Sequence, residues 1–414
     1  MKNIQLLVWM ILFCCLPAHA QEIDANTHED TLITSPNLTL HDVLEKTVQH
    51  SPEQARIRAQ EFQVTAKQKM ANSFLPQAPS VSVYHQNDTL GNGRNERDWQ
   101  AELELPVWLP KQKNARAEVA NQSALQLNAD TESVRALVAG ALREALWEIA
   151  LNRNEVSLFQ EKVNNAQRLE ADTLKKFQAG ELAKTDLMLA QQETLIAQKN
   201  LIRANAELMH AHYRYIVLTG QKEIPVQFEE TRSSLEGYEE SPVWKAAEAK
   251  ITLAQSERTL SQIEKRENPQ VILNARSAQG AFDNAYNQSV GVKIRIPLDS
   301  AVRSAPVIAT SEQQLGIAIS ERDKLRLALE TQLHEAEHNL MISQQELDIA
   351  KQQYEIAKHS ETLAQKAYAL GELDLVSLIR IQSQTFEAER SYSRRQLQIK
   401  WDIARYNQAV GVLP

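Results

Sequence analysis

The chain repeats itself at a fixed spacing, and this limits what it can fold into more than its composition does. Leu105-Pro106 returns as Ile296-Pro297, an offset of 191 positions (297 − 106), and Gly180-Glu181-Leu182 returns as Gly371-Glu372-Leu373 at the same offset (371 − 180). Gly220 returns as Gly411, and Arg214-Tyr215 as Arg405-Tyr406. Register holds between these landmarks, because the column Leu187, Thr194, Leu201, Leu208, Tyr215 is matched by Leu378, Thr385, Tyr392, Ile399, Tyr406. A long repeat of constant offset denotes two copies of one structural unit. Whatever the chain does must be served by both halves.

Each copy contains a long stretch without proline, residues 111–224 and 307–413. These predict two helical hairpins, each turning at a repeated glycine (Gly180, Gly371) and closing at another (Gly220, Gly411), as helix C-termini tend to do. Gly140 and Gly316 fall inside the stretches off the repeat offset, and read as tolerated interior glycines costing about 1 kcal/mol each against alanine. The rising arm of the first hairpin, residues 111–179, would make roughly 100 Å of unbroken helix. Helices of compact domains average about three turns. Such a length belongs to a coiled coil or to a structure that bridges a distance.

The returning arm carries three apolar columns at heptad spacing: the leucine column above, then Met188, Leu195, Ile202, Met209, Ile216, and the small column Ala190, Ala197, Ala204, Ala211, Leu218. Strict heptads imply supercoiling. Together the columns cover about 160° of arc, more than a two-stranded seam needs. This helix requires neighbours on two sides, as in a ring of helices, although a coiled-coil rod or bundle fits periodicity alone.

Ahead of each hairpin lie two alternating segments around a polar loop, residues 80–86 and 99–108 in the first copy, 271–277 and 289–297 in the second. Trp99, Ala101, Leu103 and Leu105 oppose Gln100, Glu102 and Glu104, and Val290, Val292, Ile294 and Ile296 oppose Ser289, Gly291, Lys293 and Arg295. Charge on one face and aliphatics on the other, in strands near ten residues, fits a transmembrane barrel with a wet lumen. A half-buried soluble sheet gives the same pattern. Four strands cannot close a barrel, and an open edge is not tolerated in hydrocarbon, so a barrel would be shared between chains. Three chains leave room for a passage where two would not.

The N-terminus points the same way. Lys2, an apolar run over residues 4–16 and Ala18-His19-Ala20 have the form of a cleaved signal peptide, residues 1–20. Both cysteines, Cys14 and Cys15, lie within it, leaving the mature chain without disulfides or thiolate sites. Phe13 before Cys14 argues against lipid attachment, which wants a small residue there. No later apolar run reaches the length of a transmembrane helix. The chain is rich in Ala, Gln, Glu and Leu, and its net charge of −8 without a basic stretch argues against nucleic acid.

The segments Leu38-Thr39-Leu40-His41-Asp42-Val43-Leu44, Phe74-Leu75-Pro76 and Gln408-Ala409-Val410-Gly411, with the two strand pairs and two hairpins, resemble the TolC-type outer-membrane factors across essentially the whole mature chain. The resemblance implies a homotrimer: a mainly α fold with a small β part, whose long antiparallel helical hairpins form a periplasmic α-barrel. Each chain would add four strands to a shared twelve-stranded transmembrane β-barrel. The domain plan is a first repeat over 21–220, a linker over 221–240 and a second repeat over 241–414. The implied role is a passive outer-membrane duct, not an enzyme and without cofactors, joined to a periplasmic adaptor and an inner-membrane pump of the resistance-nodulation-division type. The tips Gly180, Glu181, Leu182 and Gly371, Glu372, Leu373 would dock the adaptor. Asp186, Asp374, Ser377 and Arg380 are candidate gate residues, although the family's double acidic ring is broken by Ser377 and Arg380, leaving an Asp374–Arg380 network as the closing element. Glu102, Glu104, Lys293 and Arg295 would line the barrel. Tyr368-Ala369-Leu370-Gly371-Glu372-Leu373-Asp374-Leu375 is similar to the CzcC-like heavy-metal branch, which implies metal-cation cargo; a drug or type I secretion duct is the alternative.

Two further readings compete. A periplasmic adaptor or coiled-coil scaffold would normally show one hairpin set into β-rich domains, rather than two in tandem. His334-Glu335-Ala336-Glu337-His338 matches the zincin HExxH pattern, but a zincin also needs a third ligand and a cleft, neither legible here, and an exposed helix face accounts for the residues. His28, His41 and His50 are too scattered for a metal site. Gly91-Asn92-Gly93 lacks the third glycine of a phosphate loop, so energy must come from a partner.

Overall fold

The computed structural model describes residues 31–91, 93–298 and 300–414; the expected signal peptide with Cys14 and Cys15, and also His28, lies outside the described residues. The elements run β1 (Ile33–Ser35), α1 (Leu40–His50), α2 (Glu53–Asn72), β2 (Ser80–Asn87), β3 (Arg97–Pro106), α3 (Gln112–Gln178), α4 (Lys184–Thr219), β4 (Glu223–Pro225), α5 (Pro242–Ile263), β5 (Gln270–Gln279), β6 (Asn287–Arg295), α6 (Ala301–Ala369) and α7 (Leu375–Ala409). The fold is mainly helical with a small antiparallel sheet. Shifted by the repeat offset, α2 coincides with α5, the pair β2–β3 with β5–β6, and the hairpin α3–α4 with α6–α7.

Helix α1 starts where its sequence demands. Thr39 Oγ1 accepts from the Asp42 N–H (3.1 Å) and Asp42 Oδ2 accepts from the Thr39 N–H (3.1 Å), a reciprocal capping box. Those bonds hold the Asp42 carboxyl below its ordinary value, the Thr39 side chain contributing most. Behind this cap Val43, Leu44 and Val48 enter the main core, where they meet Val134, Leu142 and Leu146 of α3, Tyr215 of α4 and Ile224. Each fully buried aliphatic here contributes about 1.5–3 kcal/mol. This core marks one level along α3, and elsewhere the long helices share only thin apolar strips.

With 67 and 69 residues, α3 and α6 each run for about 100 Å. Toward the sheet, α3 packs against α2 and α5, and α6 against α5. Ion pairs stitch this level, Lys67 to Glu257 (2.8 Å), Lys250 to Glu321 (2.5 Å) and Arg258 to Glu312 (2.5 Å). Toward the far end, α3 lies beside α4 and α6 beside α7, with α7 also against α3.

Two sequence readings change. The second hairpin does not wait for the end of the proline-bearing segment: α6 begins at Ala301 and contains Pro306. Ser300 has already nucleated it, its carbonyl accepting from the Arg303 N–H (3.0 Å) and the Ser304 N–H (2.9 Å), so proline removes a single bond in the second turn. Gly140 is more than tolerated. The Gln408 side chain crosses it, 3.0 Å from where a Cβ would stand, and Gln408 Nε2 donates to the Ala136 carbonyl (2.8 Å). A Cβ there would require the end of the Gln408 side chain to give way by a few tenths of an ångström.

The parallel pair β1–β4 was not legible. Three residues each are too few to show alternation, and the pairing spans residues 33–35 and 223–225. Tyr215 anchors it, its hydroxyl donating to the Glu223 carbonyl (2.8 Å), while its repeat counterpart Tyr406 donates to the Leu235 carbonyl (2.6 Å). Burial and the nearby Glu223 push the Tyr215 hydroxyl far above the ordinary phenol range, so it acts only as a neutral donor.

Candidate functional site

The residues singled out from sequence gather in two zones, at opposite ends of α3 and α6. One zone is the sheet, with strand order β2-β3-β5-β6, antiparallel throughout. Strand lengths of 8 to 10 residues come close to what a tilted strand needs to cross hydrocarbon. Because the side-chain period is two, register alone assigns the faces. Val81 pairs with Leu103, Leu103 with Leu273, and Leu273 with Val292; Val83, Ala101, Ala275 and Val290 form the next rung. This face is exposed at Val81, Val83, Val290, Val292 and Ile294, although it is the apolar one.

Glu102, Glu104, Lys293 and Arg295 all project from the other face. Glu104 pairs with Ile272 and Ile272 with Lys293, while Glu102 pairs with Asn274. Arg295 approaches Glu104 at 3.7 Å and donates to Gln270 Oε1 at 2.9 Å; Ser80 Oγ donates to Glu104 (3.3 Å), and Gln100 Nε2 to Glu102 (2.7 Å). The sequence reading missed a stronger pair on this face, Arg276 to Asp98, joined through both guanidinium and carboxylate (2.8–3.1 Å). Its signal was present, since the β3 alternation continues one step before Trp99 to Asp98. The sheet's outer strands, β2 and β6, each have one unpaired edge.

The second zone is the pair of tips. At the first, the Glu181 N–H donates to the Lys176 carbonyl (2.9 Å) and the Gly180 N–H to the Phe177 carbonyl (3.0 Å). At the second, Glu372 donates to Ala367 (2.9 Å) and Gly371 to Tyr368 (3.1 Å). Both are Schellman stops, with Gly180 at φ +80° and Gly371 at φ +77°, a conformation that favours glycine. Glu181 and Glu372 are exposed, and Leu182 and Leu373 half-buried. The tips lie side by side: Lys176 sits over the Tyr368 ring (4.3 Å), and Leu169 and Leu189 of the first hairpin pack on Tyr368, Leu375 and Leu378 of the second.

The candidate gate residues divide by copy. Asp186 reaches back from the first turn of α4 to the N–H of Ala183 (3.3 Å), the residue before that helix. Asp374 itself precedes α7 and accepts from the Ser377 N–H (2.7 Å) and Oγ (2.9 Å). These bonds, the backbone one foremost, hold the Asp374 carboxyl below its ordinary value. Each tip thus keeps one half of a capping box, the backward half in the first copy and the forward half in the second. Among the described residues no ion pair joins Asp374, which is bonded to Ser377, to Arg380, exposed six residues further along.

His334 and His338 lie on an exposed face of α6 with ring centroids 6.1 Å apart. Among the described residues no group of three or more His, Cys, Asp or Glu is placed to hold a metal, and no helix is long and apolar enough to cross a membrane.

No family model and no curated protein matches the sequence. Solved structures do. A membrane protein from Pseudomonas aeruginosa superposes with a TM-score of 0.72 at 14% identity, covering 92% of both chains. The outer-membrane channel OprN gives a TM-score of 0.71 at 16% identity, over 90% of this chain and 89% of that one. VceC, an outer membrane protein of Vibrio cholerae, gives 0.71 at 14% identity, over 90% of this chain and 96% of that one. Likeness at these identities establishes a shared fold across nearly the whole chain.

Proposed function

We propose that the chain is one subunit of a TolC-type outer-membrane channel, a homotrimer whose twelve strands close a β-barrel and whose paired hairpins continue it as a periplasmic tunnel. One observation carries this reading: a four-stranded sheet with an exposed aliphatic face, a charged opposite face and two open edges, attached to helices about 100 Å long. In water such a sheet would expose apolar surface and present a pairing template at each open edge. In a lipid bilayer, with its edges paired to further copies, both are resolved. The fold shared with OprN, described as an outer-membrane channel, supports the same reading.

The duct is passive and is no enzyme. Transport would be driven by an inner-membrane pump of the resistance-nodulation-division type, reached through a periplasmic adaptor that docks on Gly180-Glu181-Leu182 and Gly371-Glu372-Leu373. The mature chain, two structural repeats over 21–220 and 241–414 around a linker at 221–240, would sit in the outer membrane and extend into the periplasm. Cargo of the heavy-metal branch is favoured by the sequence around the second tip. Asp186, Asp374, Ser377 and Arg380 narrow the tunnel where the tips converge.

Planar-bilayer recording tests the channel. Purified protein should open discrete conductances, and reversing Lys293 and Arg295 to glutamate should raise cation over anion permeability. An unchanged selectivity counts against a lumenal position for that face, and a protein extracted without detergent counts against the barrel. Loss of metal tolerance, rather than drug tolerance, on deletion in the source cell would support the metal branch.

A further inference from the structure

A passive duct has no use for the HEAEH segment of α6, and the repeat shows what stands in its place in the first copy. His334 and His338 correspond to Arg143 and Trp147 (334 − 143), and Glu335 to Glu144. In the first copy each of these has a partner: Arg143 bonds Glu230 (2.7 Å), Trp147 meets Phe228 (5.0 Å) and Glu144 accepts from Arg405 (2.8 Å). In the second copy both histidines are exposed, and among the described residues neither ring makes a hydrogen bond or an ion pair. Nor is Glu335 or Glu337 paired with a cation there. The cations lining the adjoining cavity, Arg143 and Arg405, are already bonded to Glu230 and Glu144.

Helical spacing makes the two free rings a chelating pair. Residues four apart on a helix have Cβ atoms about 5–6 Å from each other. The rings of His334 and His338 stand 6.1 Å apart, centroid to centroid, at 81° to one another. Two nitrogens sharing a zinc ion at about 2.0–2.1 Å lie roughly 3.4 Å apart. Exposed rings that nothing restrains reach that separation by side-chain rotation, with the helix unchanged. Glu330 is no third ligand, because it accepts from the Tyr238 hydroxyl (3.2 Å) and lies about 12 Å along the helix from His338.

We propose that His334 and His338 together bind one borderline divalent cation (zinc, copper(II) or nickel), with water completing its coordination. Imidazole is the ligand that these ions share. Glu330, Glu335 and Glu337 flank the pair and favour a cation through their charge without touching it. Two protein ligands hold a metal less tightly than the three or four of catalytic and structural sites, so the pair fills where free metal is abundant. Because only helical backbone brings the rings together, an occupied pair also stabilises this turn of α6. The site needs neither the barrel nor any particular cargo, since both ligands belong to one helix. With no third ligand and no cleft, it binds metal without hydrolysing anything.

The test uses the full chain, extracted from membranes and free of any histidine tag. With Cu2+ below one equivalent per chain, electron paramagnetic resonance should show two imidazole nitrogens on each metal. Equilibrium dialysis against Zn2+ should show the tightest site weakened about tenfold or more by His334→Gln or His338→Gln, since losing even an outer-shell partner costs roughly 10–100-fold. Both positions are exposed, so these variants keep the fold, which circular dichroism verifies. A further variant keeps both rings but misplaces one: His338→Gln with Asn339→His sets them five residues apart, about 140° around the helix. It should bind no better than the single variants. Zn2+ should also slow amide exchange over residues 334–342 in the parent chain and leave the misplaced variant unchanged. A parent chain that binds no metal, a spectrum with one nitrogen, or equal binding by the misplaced variant overturns the proposal. Failure to form a channel does not bear on these readouts, so the two readings fall separately.

Discussion

The two copies of the repeat share a backbone and differ in what their side chains do with it. In the first, Arg143 is 3% exposed and fully engaged, bonding both Glu230 carboxylate oxygens (2.7 Å each), Gln408 (2.5 Å) and the Val412 carbonyl (2.9 Å). One turn on, Trp147 is buried edge-on against Phe228 (5.0 Å). Their counterparts in the second copy are His334 and His338, both exposed. Phe228 and Glu230 belong to the stretch that follows β4 and folds over α3, whereas on α6 that stretch reaches Glu330 through Tyr238 (3.2 Å) and leaves His334 and His338 exposed. The lesson is that heptad spacing and terminal glycines specify the shape of the unit. Charge and polarity then follow whatever lies over each face.

The largest expected effect breaks the comparison at that level. Arg143→Ala strands a nearly buried Glu230 carboxylate and should cost about 3–5 kcal/mol. His334→Ala at the matching position should stay within about 0.5 kcal/mol. Chemical denaturation of the detergent-solubilised protein measures both, and equal losses would show that the copies are loaded alike. Next come the stops. Gly180→Val and Gly371→Val each force a branched side chain into positive φ, at a cost of about 1–2 kcal/mol, and should shift thermal unfolding by matching amounts. A large difference between the two would mean that one tip can turn another way.

Smaller effects sharpen the contrast in capping. Asp374→Ala removes a side chain that accepts two bonds from Ser377 and should speed amide exchange in the first turn of α7 several-fold, whereas Asp186→Ala should change α4 less. Acid completes the set. Because the folded state holds the Asp374 carboxyl below its ordinary 3.8, its contribution is present above that value and is lost as pH falls through the lowered one. Exchange at the start of α7 should therefore rise in strong acid, and the Asp374→Asn variant should lack that dependence.

Much of this fold was legible from sequence, for identifiable reasons. Hairpins and strand pairs announce themselves through period and repetition, which are local, and the sheet faces follow once Trp99 to Leu105 alternate. Glu102, Glu104, Lys293 and Arg295 share a face because register in a pleated sheet leaves no other choice. What escaped depends on distance in the chain. The partner of Arg143 is 87 residues away, β1 and β4 are too short to carry a pattern, and the side chain that crosses Gly140, Gln408, comes from a helix far along the chain. The tip acids showed a different limit: their spacing was visible, but whether a carboxylate guards a passage or caps a helix depends on which residue holds the N-cap. Ala183 and Asp374 occupy that position in turn.

Both long helices end at the same point of the repeat, Gln178 and Ala369, each stopped by a glycine two residues further on. Nothing lateral sets how far the tips stand from the sheet; the residue count of each rod sets it alone. Length is therefore a quantity the gene must state twice. In the proposed trimeric channel, an insertion of one heptad in a single copy would leave every neighbouring contact plausible and yet give the rim alternating tall and short teeth, which a flat partner could meet at only half of its sites. Changes in reach can survive only as matched pairs, so the two halves of this gene should drift freely in sequence while staying locked in length.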